Sequence, residues 1–273
     1  EAVGRDALVV ALGGGVTGDI AGFLAATWHR GVPVFQVPTS LLAMADAALG
    51  GKTAVDHPGG KNLIGAFHPP RVLWADVATL ATLPDRELRC GLAEAVKIAA
   101  ALDGGLFARL ERDAARLLAR EERVLVPVIE RCLRLKGRVV SMDPTDRGPR
   151  AILNFGHTAA HAVEAASGYR VRHGEAVAIG VVAEARIAER LSGFPREATV
   201  RLRTLLSRLG LPVTLPASLD PSVVARYALA DKKTRGGTVR CALPAGLGRP
   251  PAGTDPTFPI RLGRDLVAAW RGN

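Results

Sequence analysis

Residues 7–37, with the sequence ALVVALGGGVTGDIAGFLAATWHRGVPVFQV, alternate apolar runs with a glycine-rich turn. Ala7–Leu12 is apolar at every position, which is typical of a strand buried on both faces of a parallel sheet. Three glycines, residues 13–15, directly follow this strand. The segment Val16–Thr27 then predicts a helix, and Val32–Val37 predicts a second strand. A strand, a helix and a strand in this order predict an α/β layer with a parallel sheet.

Two further segments extend this layer toward residue 84. Leu41–Ala48 predicts a helix that Thr39 could cap, and Val72–Ala75 predicts a third strand. From Pro84 onward the apolar residues recur at helical spacing, first in Asp85–Ala101. Pro84 itself suits the first turn of a helix, so it marks the start of this segment. The pattern therefore predicts an α/β domain over residues 1–83 and a mostly α-helical domain over residues 84–273.

The second half contains several more periodic segments. The further predicted helices are Gly104–Arg120, Arg123–Val140, His157–Ala166, Gly174–Leu191, Glu197–Leu209 and Leu262–Trp270. Short strands are predicted at Arg150–Leu153 and Val239–Leu243, and a proline- and glycine-rich loop at Arg249–Pro259.

Composition limits the classes of function. The chain has 273 residues, of which 48% are hydrophobic and 23% charged, as in globular proteins and not in disordered ones. Its net charge is +10, but aromatic residues make up only 4% and the arginines are dispersed, so a small anionic substrate is favoured over nucleic acid. No apolar run reaches about 18 residues and no leader is visible, so we expect no membrane span or secretion. Three cysteines without a CxxC pair indicate a cytoplasmic protein.

A glycine motif follows the first predicted strand. Gly13, Gly15 and Gly18 match G-x-G-x-x-G at the start of a helix, where backbone N–H groups and the helix dipole favour a phosphate. The acidic residue that reads a ribose about 20 residues later is missing, because Gln36–Pro38 occupies that place. The motif predicts a phosphate loop outside a standard first βαβ unit, and a tight turn without a ligand is the alternative.

The stretch 46–62, DAALGGKTAVDHPGGKN, is dense in polar residues. Glycine pairs precede Lys52 and Lys61, an arrangement that suits backbone wrapping around an anion with an ammonium as counter-charge. A flexible, solvated loop is the alternative.

Four residues are possible metal ligands. His157 and His161 lie four residues apart on one helical face, His173 lies beside the next helix, and Glu94 has Lys97 three residues further along its own face. Two histidines and a carboxylate are typical of a catalytic zinc site with an open position. The spacing does not select three of the four, and hydrogen-bonded core histidines are the alternative. The run Asp231–Lys233 favours a solvated turn.

In combination these segments resemble the 3-dehydroquinate synthase family of sugar-phosphate cyclases. The matching segments occur in family order and are GGGVTGDIAGF, RGVPVFQVPTSLLA, GGKTAVDHPGGKNLIGAFHPP, TLPDRE, GLAEAVK, LNFGHTAAHAVE, HGEAVAIG and DKK. The resemblance implies a Rossmann-like first domain, and it implies Glu94, His157 and His173 as ligands of Zn²⁺ or Co²⁺.

The resemblance also implies the other site residues. Residues implied to bind NAD are Gly13, Gly14, Gly15, Asp19, Thr39, Ser40, Asp46, Lys61 and Thr82. Residues implied to bind substrate are Lys52, Asn62, Lys97, Lys136, Arg150, Asn154, His161, Lys232 and Lys233. Arg30 matches an arginine that reaches the phosphate pocket of a neighbouring subunit, so the resemblance implies a homodimer.

The activity implied by the resemblance is conversion of 3-deoxy-arabino-heptulosonate 7-phosphate to 3-dehydroquinate and phosphate, a step of aromatic amino acid biosynthesis in the shikimate pathway. NAD takes a hydride, phosphate is eliminated, the hydride returns, and an intramolecular aldol reaction closes the carbocycle. An amino-substrate variant would keep the same residues. Two alternatives are a metal-dependent polyol or glycerol-phosphate dehydrogenase and a truncated, inactive homologue.

The sequence departs from the family at its start and at single positions. Family members carry further βα units with adenosine contacts before the first strand, so we expect an incomplete NAD-binding domain with an exposed sheet edge. Ser40 stands where threonine is common, Ala47 where a small polar residue is usual, and Asp146 where glutamate is typical. Each replacement keeps similar size or charge, and we expect modest effects.

Overall fold

A parallel sheet of three strands lies in the first half of the chain. The structure is a computed structural model and describes residues 3–58, 60–230, 239–260 and 262–271. Strands β1 (Val9–Gly13), β2 (Val34–Pro38) and a later strand (Val72–Leu73) pair in that order. Helix α1 (Gly15–Thr27) connects the first two strands. The predicted α/β layer with a parallel sheet is confirmed, although its third strand is shorter than predicted. Within the described residues β1 pairs with β2 alone, and Leu12 is 65% exposed.

The glycine- and lysine-rich stretch forms a hairpin. Strands β3 (Lys52–His57) and β4 (Gly60–Phe67) pair antiparallel, and the two-residue strand Val72–Leu73 is therefore β5. A Cβ atom on Gly22 of α1 would lie 2.4 Å from a methyl carbon of Thr53, so the hairpin packs closely against α1. The alternative of a flexible, solvated loop is wrong here. The HPGG sequence between runs that contain Thr and Val was a hairpin signal.

The segment between the sheet and the hairpin differs from the predicted helix Leu41–Ala48. Its main part is a π-helix at Ala43–Ala47, which is a rare form that recurs at functional sites. Ser40 rather than Thr39 faces its start, because Ser40 Oγ accepts a hydrogen bond from the N–H of Ala43 at 3.4 Å.

Helices dominate the rest of the chain. Their bounds are α2 (Asp85–Leu102), α3 (Gly104–Leu118), α4 (Glu122–Met142), α5 (His157–Ala166), α6 (His173–Leu191), α7 (Arg196–Arg208), α8 (Pro221–Ala230) and α9 (Leu262–Arg271). The helix predictions for this half are confirmed to within a few residues, except that α8 was missed. Among the described helices, none combines the length and apolarity needed to cross a membrane.

One strand prediction and one loop prediction in this half need correction, while the strand predicted at Val239–Leu243 is observed as β6, Val239–Ala242. Arg150–Leu153 lies in a 3₁₀-helix, Pro149–Asn154, because a short apolar run does not distinguish a strand from a helical turn. The predicted loop Arg249–Pro259 ends in a strand, β7 (Thr257–Ile260), which pairs antiparallel with β6 (Val239–Ala242).

Helix α2 lies at the centre of the main hydrophobic core. Every residue from Cys90 to Ala101 is buried, including the charged Glu94 and Lys97. A Cβ atom on Gly91 would lie 2.5 Å from the backbone nitrogen of Leu42, so the π-helix segment packs directly on α2. The fold thereby brings two charged side chains of α2 into a buried environment beside that segment.

The three cysteines are buried, and we expect them to be unreactive in the folded protein. Burial raises the pKa of Cys90 to about 11 and that of Cys132 to about 12, so the nucleophilic thiolate is scarce near neutral pH. At pH 8 we expect iodoacetamide to modify less than one thiol per chain over an hour. Denatured chain is the control and should yield three. Rapid labelling of the folded chain, followed by mass spectrometry, would contradict this burial.

Candidate active site

A cavity of about 490 Å³ opens where the hairpin, the π-helix segment and helices α2, α4, α5 and α6 meet. Its charged and polar lining residues are Asp19, Asp46, Lys52, Thr53, Asn62, Glu94, Lys97, Lys136, Arg150, Asn154, His157, His161 and His173. The cavity therefore collects basic, acidic and imidazole groups from segments that are far apart in the sequence.

Glu94, His157 and His173 converge at one end of this cavity. Each offers one ligand atom, and the three atoms lie within 4.8 Å of one another. Glu94 Oε1 is 3.0 Å from His173 Nε2 and 3.7 Å from His157 Nε2. Two imidazole nitrogens and one carboxylate oxygen match the donor set of catalytic zinc sites, and cobalt accepts the same donors. The residues present therefore fit a divalent metal ion.

His161 lies beside these three groups but outside the converging set. The ligand atoms that lie within 4.8 Å of one another belong to Glu94, His157 and His173, whereas His161 contacts this group through its ring, 5.4 Å from that of His157 between centroids. The geometry thus favours the three-residue set over the alternatives that the spacing left open.

Two acidic residues hold the imidazole of His173 between them. Glu164 Oε2 is 3.2 Å from Nδ1, and Glu94 lies at Nε2. Burial opposes protonation of His173, but these hydrogen bonds raise its pKa to about 10. A carboxylate on the far nitrogen fixes the imidazole orientation of a metal ligand, so Glu164 has the place of such a partner.

His157 has the opposite tendency. Burial, reinforced by the nearby Lys97 ammonium, holds its pKa well below the ordinary value, so its ring is neutral and has a lone pair available. Burial disfavours the Glu94 carboxylate, yet Lys97 and His173 hold the Glu94 pKa well below its usual range. A neutral imidazole and an ionised carboxylate are the forms that bind metal.

A buried ion network adjoins these ligands. Lys97 Nζ lies 2.8 Å from Glu94 Oε2, an ion pair without hydrogen-bond geometry, and 2.7 Å from Asp46 Oδ2. Lys136 pairs with the other oxygen of Asp46 and donates to its carbonyl oxygen at 2.6 Å. Burial lowers the pKa of Lys136, whereas Asp46 and Glu94 outweigh burial and raise the pKa of Lys97. Asp46 is therefore the shared partner of both buried lysines.

Other charged groups connect the hairpin to the helical half. Lys52 of β3 pairs with Asp146, and Lys61 of β4 lies 3.2 Å from Glu164 Oε1. Arg150 donates to the carbonyl oxygens of Gly50 at 2.9 Å and Pro144 at 2.7 Å. The two halves of the chain thus share the walls of one cavity.

The structure gathers most of the predicted substrate residues in this cavity. Those that line it are Lys52, Asn62, Lys97, Lys136, Arg150, Asn154 and His161. Arg30 does not line it and lies on a 3₁₀ turn, Trp28–Arg30, in the left-handed backbone region. Lys232 and Lys233 fall outside the described residues.

The glycine loop lies between β1 and α1, as its spacing indicates. Gly14 precedes the first turn of α1, and the N–H of Thr39 donates to the carbonyl oxygen of Gly13 at 2.8 Å. Gln36 stands in the place of a ribose-reading acid and instead donates to the carbonyl oxygen of Gly18 at 3.1 Å. The first N–H groups of α1 have no side-chain cap and are available to an anion. At the position where a carboxylate would bind a ribose, the chain has Gln36.

Among the other residues predicted to bind NAD, Asp19 and Asp46 line the large cavity, whereas Lys61 pairs with Glu164 beside it. Burial, with a contribution from Asp56, raises the pKa of Asp19 to about 6. Thr82 ends a 3₁₀-helix, Val77–Thr82, and does not line the cavity.

Sequence reasoning missed Glu164. Nothing in its sequence neighbourhood marks it, apart from its position three residues after His161 on one helical face. Its role becomes visible only when α6 brings His173 to it.

Comparison with known proteins gives consistent matches. A 3-dehydroquinate synthase N-terminal model matches residues 1–90, and a 3-dehydroquinate synthase C-terminal model matches residues 91–234. These models meet inside α2, and the division at residues 83 and 84 stays a prediction.

The sequences of curated relatives named 3-dehydroquinate synthase align with most of this chain. That of Pelobacter propionicus is 51% identical over 246 residues, covering 89% of this chain and 68% of that protein. That of Xylella fastidiosa is 48% identical over 257 residues, covering 92% of this chain and 65% of that protein. The chain thus spans about two thirds of the length of these relatives.

Solved structures of cyclases share the fold. A 2-deoxy-scyllo-inosose synthase complexed with carbaglucose-6-phosphate, NAD⁺ and Co²⁺ is 32% identical with a TM-score of 0.88, covering 98% of this chain and 74% of that one. ValA, a 2-epi-5-epi-valiolone synthase from Streptomyces hygroscopicus with NAD⁺ and Zn²⁺ bound, is 31% identical with a TM-score of 0.86, covering 98% of this chain and 73% of that one. A probable glycerol dehydrogenase from Sinorhizobium meliloti shares the fold alone, at 20% identity and a TM-score of 0.60, over 97% of this chain and 76% of that one.

Proposed function

The chain belongs to the 3-dehydroquinate synthase family of lyase-type cyclases, and on that premise we propose that it converts 3-deoxy-arabino-heptulosonate 7-phosphate to 3-dehydroquinate and phosphate. The observation that carries the proposal is the cavity itself. Three convergent metal-ligand atoms adjoin several cationic side chains in one enclosure, which suits an anionic sugar phosphate with a reacting hydroxyl.

Glu94, His157 and His173 would hold Zn²⁺ or Co²⁺, and NAD would lie toward the glycine loop. This assignment is supported by the donor set and by the bound groups of the cyclase structures. When bound, the metal would supply charge to stabilise a developing alkoxide, and NAD would supply a reversible hydride acceptor. Residues assigned to NAD are Gly13, Gly14, Gly15, Asp19, Thr39, Ser40, Asp46, Lys61 and Thr82.

The protein's own part in the reaction is to bind, orient and supply charge. We assign Lys136, Arg150, Lys232 and Lys233 to the substrate carboxylate, as the family resemblance implies. We assign Lys52, Asn62, Asn154 and His161 to its phosphate. Charged hydrogen bonds to carboxylate and phosphate are stronger than neutral ones and fix the reacting ring in one pose.

Lys97 is proposed to orient the metal ligand and to contact the substrate. Its ammonium lies between Glu94 and Asp46 and keeps both carboxylates ionised in a buried setting.

Arg30 supports a homodimer proposal. It lies away from the cavity of its own chain, and the family resemblance directs this arginine to a neighbouring subunit's phosphate pocket. Location in the cytoplasm also stays a prediction.

The deciding experiment supplies the purified chain with the heptulosonate phosphate, NAD and Zn²⁺. We expect phosphate and 3-dehydroquinate to appear in equal amounts without net NADH, because the hydride returns in each cycle. Metal-stripped protein is the control and should release no phosphate until Zn²⁺ is restored. Release without dehydroquinate, or NADH accumulation with glycerol or glycerol phosphate, would contradict the proposal and favour the dehydrogenase alternative.

Replacing Arg150 by lysine should mainly raise the KM for the heptulosonate phosphate. Lysine keeps the charge but loses the planar fork that engages a carboxylate through two N–H groups. We expect KM to rise at least about tenfold, with a smaller change in kcat, in steady-state phosphate release. Arg147→Lys is the control, because Arg147 does not line the cavity. An unchanged KM in Arg150→Lys would count against a carboxylate contact there.

A further inference from the structure

Glu184, a fully buried carboxylate of α6, contacts the first turn of the helix that carries His157. Its Oε2 accepts a hydrogen bond from the N–H of Gly156 at 2.7 Å, and its Oε1 accepts one from the N–H of Ala159 at 2.9 Å. We propose that Glu184 is a positioning residue that sets the orientation of His157 as a metal ligand, an inference that rests on the metal site in the proposed function.

The start of α5 depends on this carboxylate. A helix leaves its first N–H groups without intrahelical acceptors, and a side chain at the N-cap ordinarily accepts from them. The N-cap of α5 is Gly156, which has no side chain and makes no such bond. Glu184, which belongs to another helix, supplies the missing acceptor oxygens, and its negative charge suits the positive end of the helix dipole.

Close packing leaves little freedom at this junction. Gly156 has a φ of +83°, and a Cβ atom there would lie 2.4 Å from Cγ2 of Val181. A Cβ atom on Gly180 would lie 2.1 Å from the carbonyl oxygen of Gly156. Since neither glycine has a Cβ atom, α5 and α6 can approach this closely. The short distance between the helices lets the Glu184 carboxylate reach the amides of α5.

The contact joins two metal ligands through rigid elements. His157 is the first residue of α5 and lies between the two amides that Glu184 accepts from. His173 is the first residue of α6, about three helical turns before Glu184. Glu184 therefore ties the backbone of one imidazole ligand to the helix that carries the other.

A burial argument supports a specific purpose for this side chain. Taking a carboxylate out of water is costly, and an apolar residue of similar volume would often stabilise a core equally well. We infer that the buried carboxylate fixes the distance between His157 and His173. Residues that position metal ligands commonly change metal affinity by about 10- to 100-fold.

Glu184→Gln tests the role with nearly unchanged volume. Glutamine retains one acceptor oxygen and turns an NH₂ group toward the other amide, so the first turn of α5 should reorient. We expect Zn²⁺ affinity, measured by chelator competition without NAD or substrate, to fall about 10- to 100-fold. The visible absorption bands of the Co²⁺-loaded protein should also shift, since they report ligand geometry.

Asp103→Asn is a matched control. Asp103 accepts from the N–H groups of Gly105 at 2.8 Å and Leu106 at 3.0 Å and so caps α3, which carries none of the proposed ligands. We expect wild-type Zn²⁺ affinity and Co²⁺ bands in this variant. A purely structural effect of Glu184→Gln would lower the unfolding temperature, as we expect Asp103→Asn to do, without moving the Co²⁺ bands.

Folded Glu184→Gln protein with Zn²⁺ affinity within twofold of wild type and unaltered Co²⁺ bands would overturn the inference. If that variant does not fold, Glu184→Asp decides, because aspartate keeps the charge but is one methylene too short; unchanged bands there would equally overturn it. Wild-type protein that binds no metal would refute the metal assignment and this inference together. Metal binding without phosphate release would contradict only the proposed activity.

Discussion

Glu94→Gln protein should contain almost no zinc and lose at least about a thousandfold in turnover. The substitution keeps the shape of the side chain but removes the one anionic donor of the three-ligand group and the partner of Lys97 on that side. Metal affinity depends on the ionised form of the carboxylate, and a buried ammonium beside an amide would repel the cation. Zinc content after dialysis and phosphate release from the heptulosonate phosphate measure the two effects.

His161→Asn is the matched control for that loss. His161 shares the helix and the cavity with His157 but lies outside the converging ligand atoms. We expect this variant to retain one zinc ion per chain while its KM rises, since its proposed contact is with substrate phosphate. Stoichiometric zinc in Glu94→Gln, or zinc lost from His161→Asn but kept in His157→Asn, would refute the ligand assignment.

Asp46→Asn should destabilise the protein strongly even without cofactor. Asp46 is the common partner of Lys97 and Lys136, and both ammonium groups are buried. Removing one partner of a buried pair leaves uncompensated charge and costs about 3 kcal/mol or more. For a chain of this size that corresponds to a fall in Tm of roughly 6 to 12 °C. Calorimetry or circular dichroism of the metal-free protein measures it.

Asp85→Asn provides the comparison. Asp85 pairs with Arg120 at 2.7 Å, but its side chain is 68% exposed. Exposed ion pairs contribute little because water screens them, so Tm should hardly change. Equal Tm shifts in the two variants would show that burial of the Asp46 network is not what stabilises it. A Tm in Asp46→Asn within 2 °C of wild type would contradict the prediction outright.

The local pattern of the sequence determined the parallel sheet, most of the helices and their approximate ends. Strand and helix periodicities are properties of neighbouring residues, so they survive without tertiary information. The errors fell where the local signal was weak. Arg150–Leu153 was too short to separate a strand from a 3₁₀ turn, and the polar hairpin at Lys52–Phe67 was obscured by its glycines and lysines.

The residue types of the site were likewise visible in the sequence, as histidines, a glutamate and lysines beside glycines. Which of them act together was decided by the tertiary structure. Glu94 and His173 are 79 positions apart and meet at 3.0 Å, while the spacing alone had left His161 as an equal alternative to them.

Glu184 had no local signal and Glu164 had only its spacing from His161, because the partners of both carboxylates lie on other segments. A side chain that orients another is defined by a distance between helices, and helix packing sets that distance. The sequence by itself therefore determined the chemistry that the cavity contains. Only the fold, through close contacts such as that of Gly156 with Gly180, decided the geometry in which this chemistry is held.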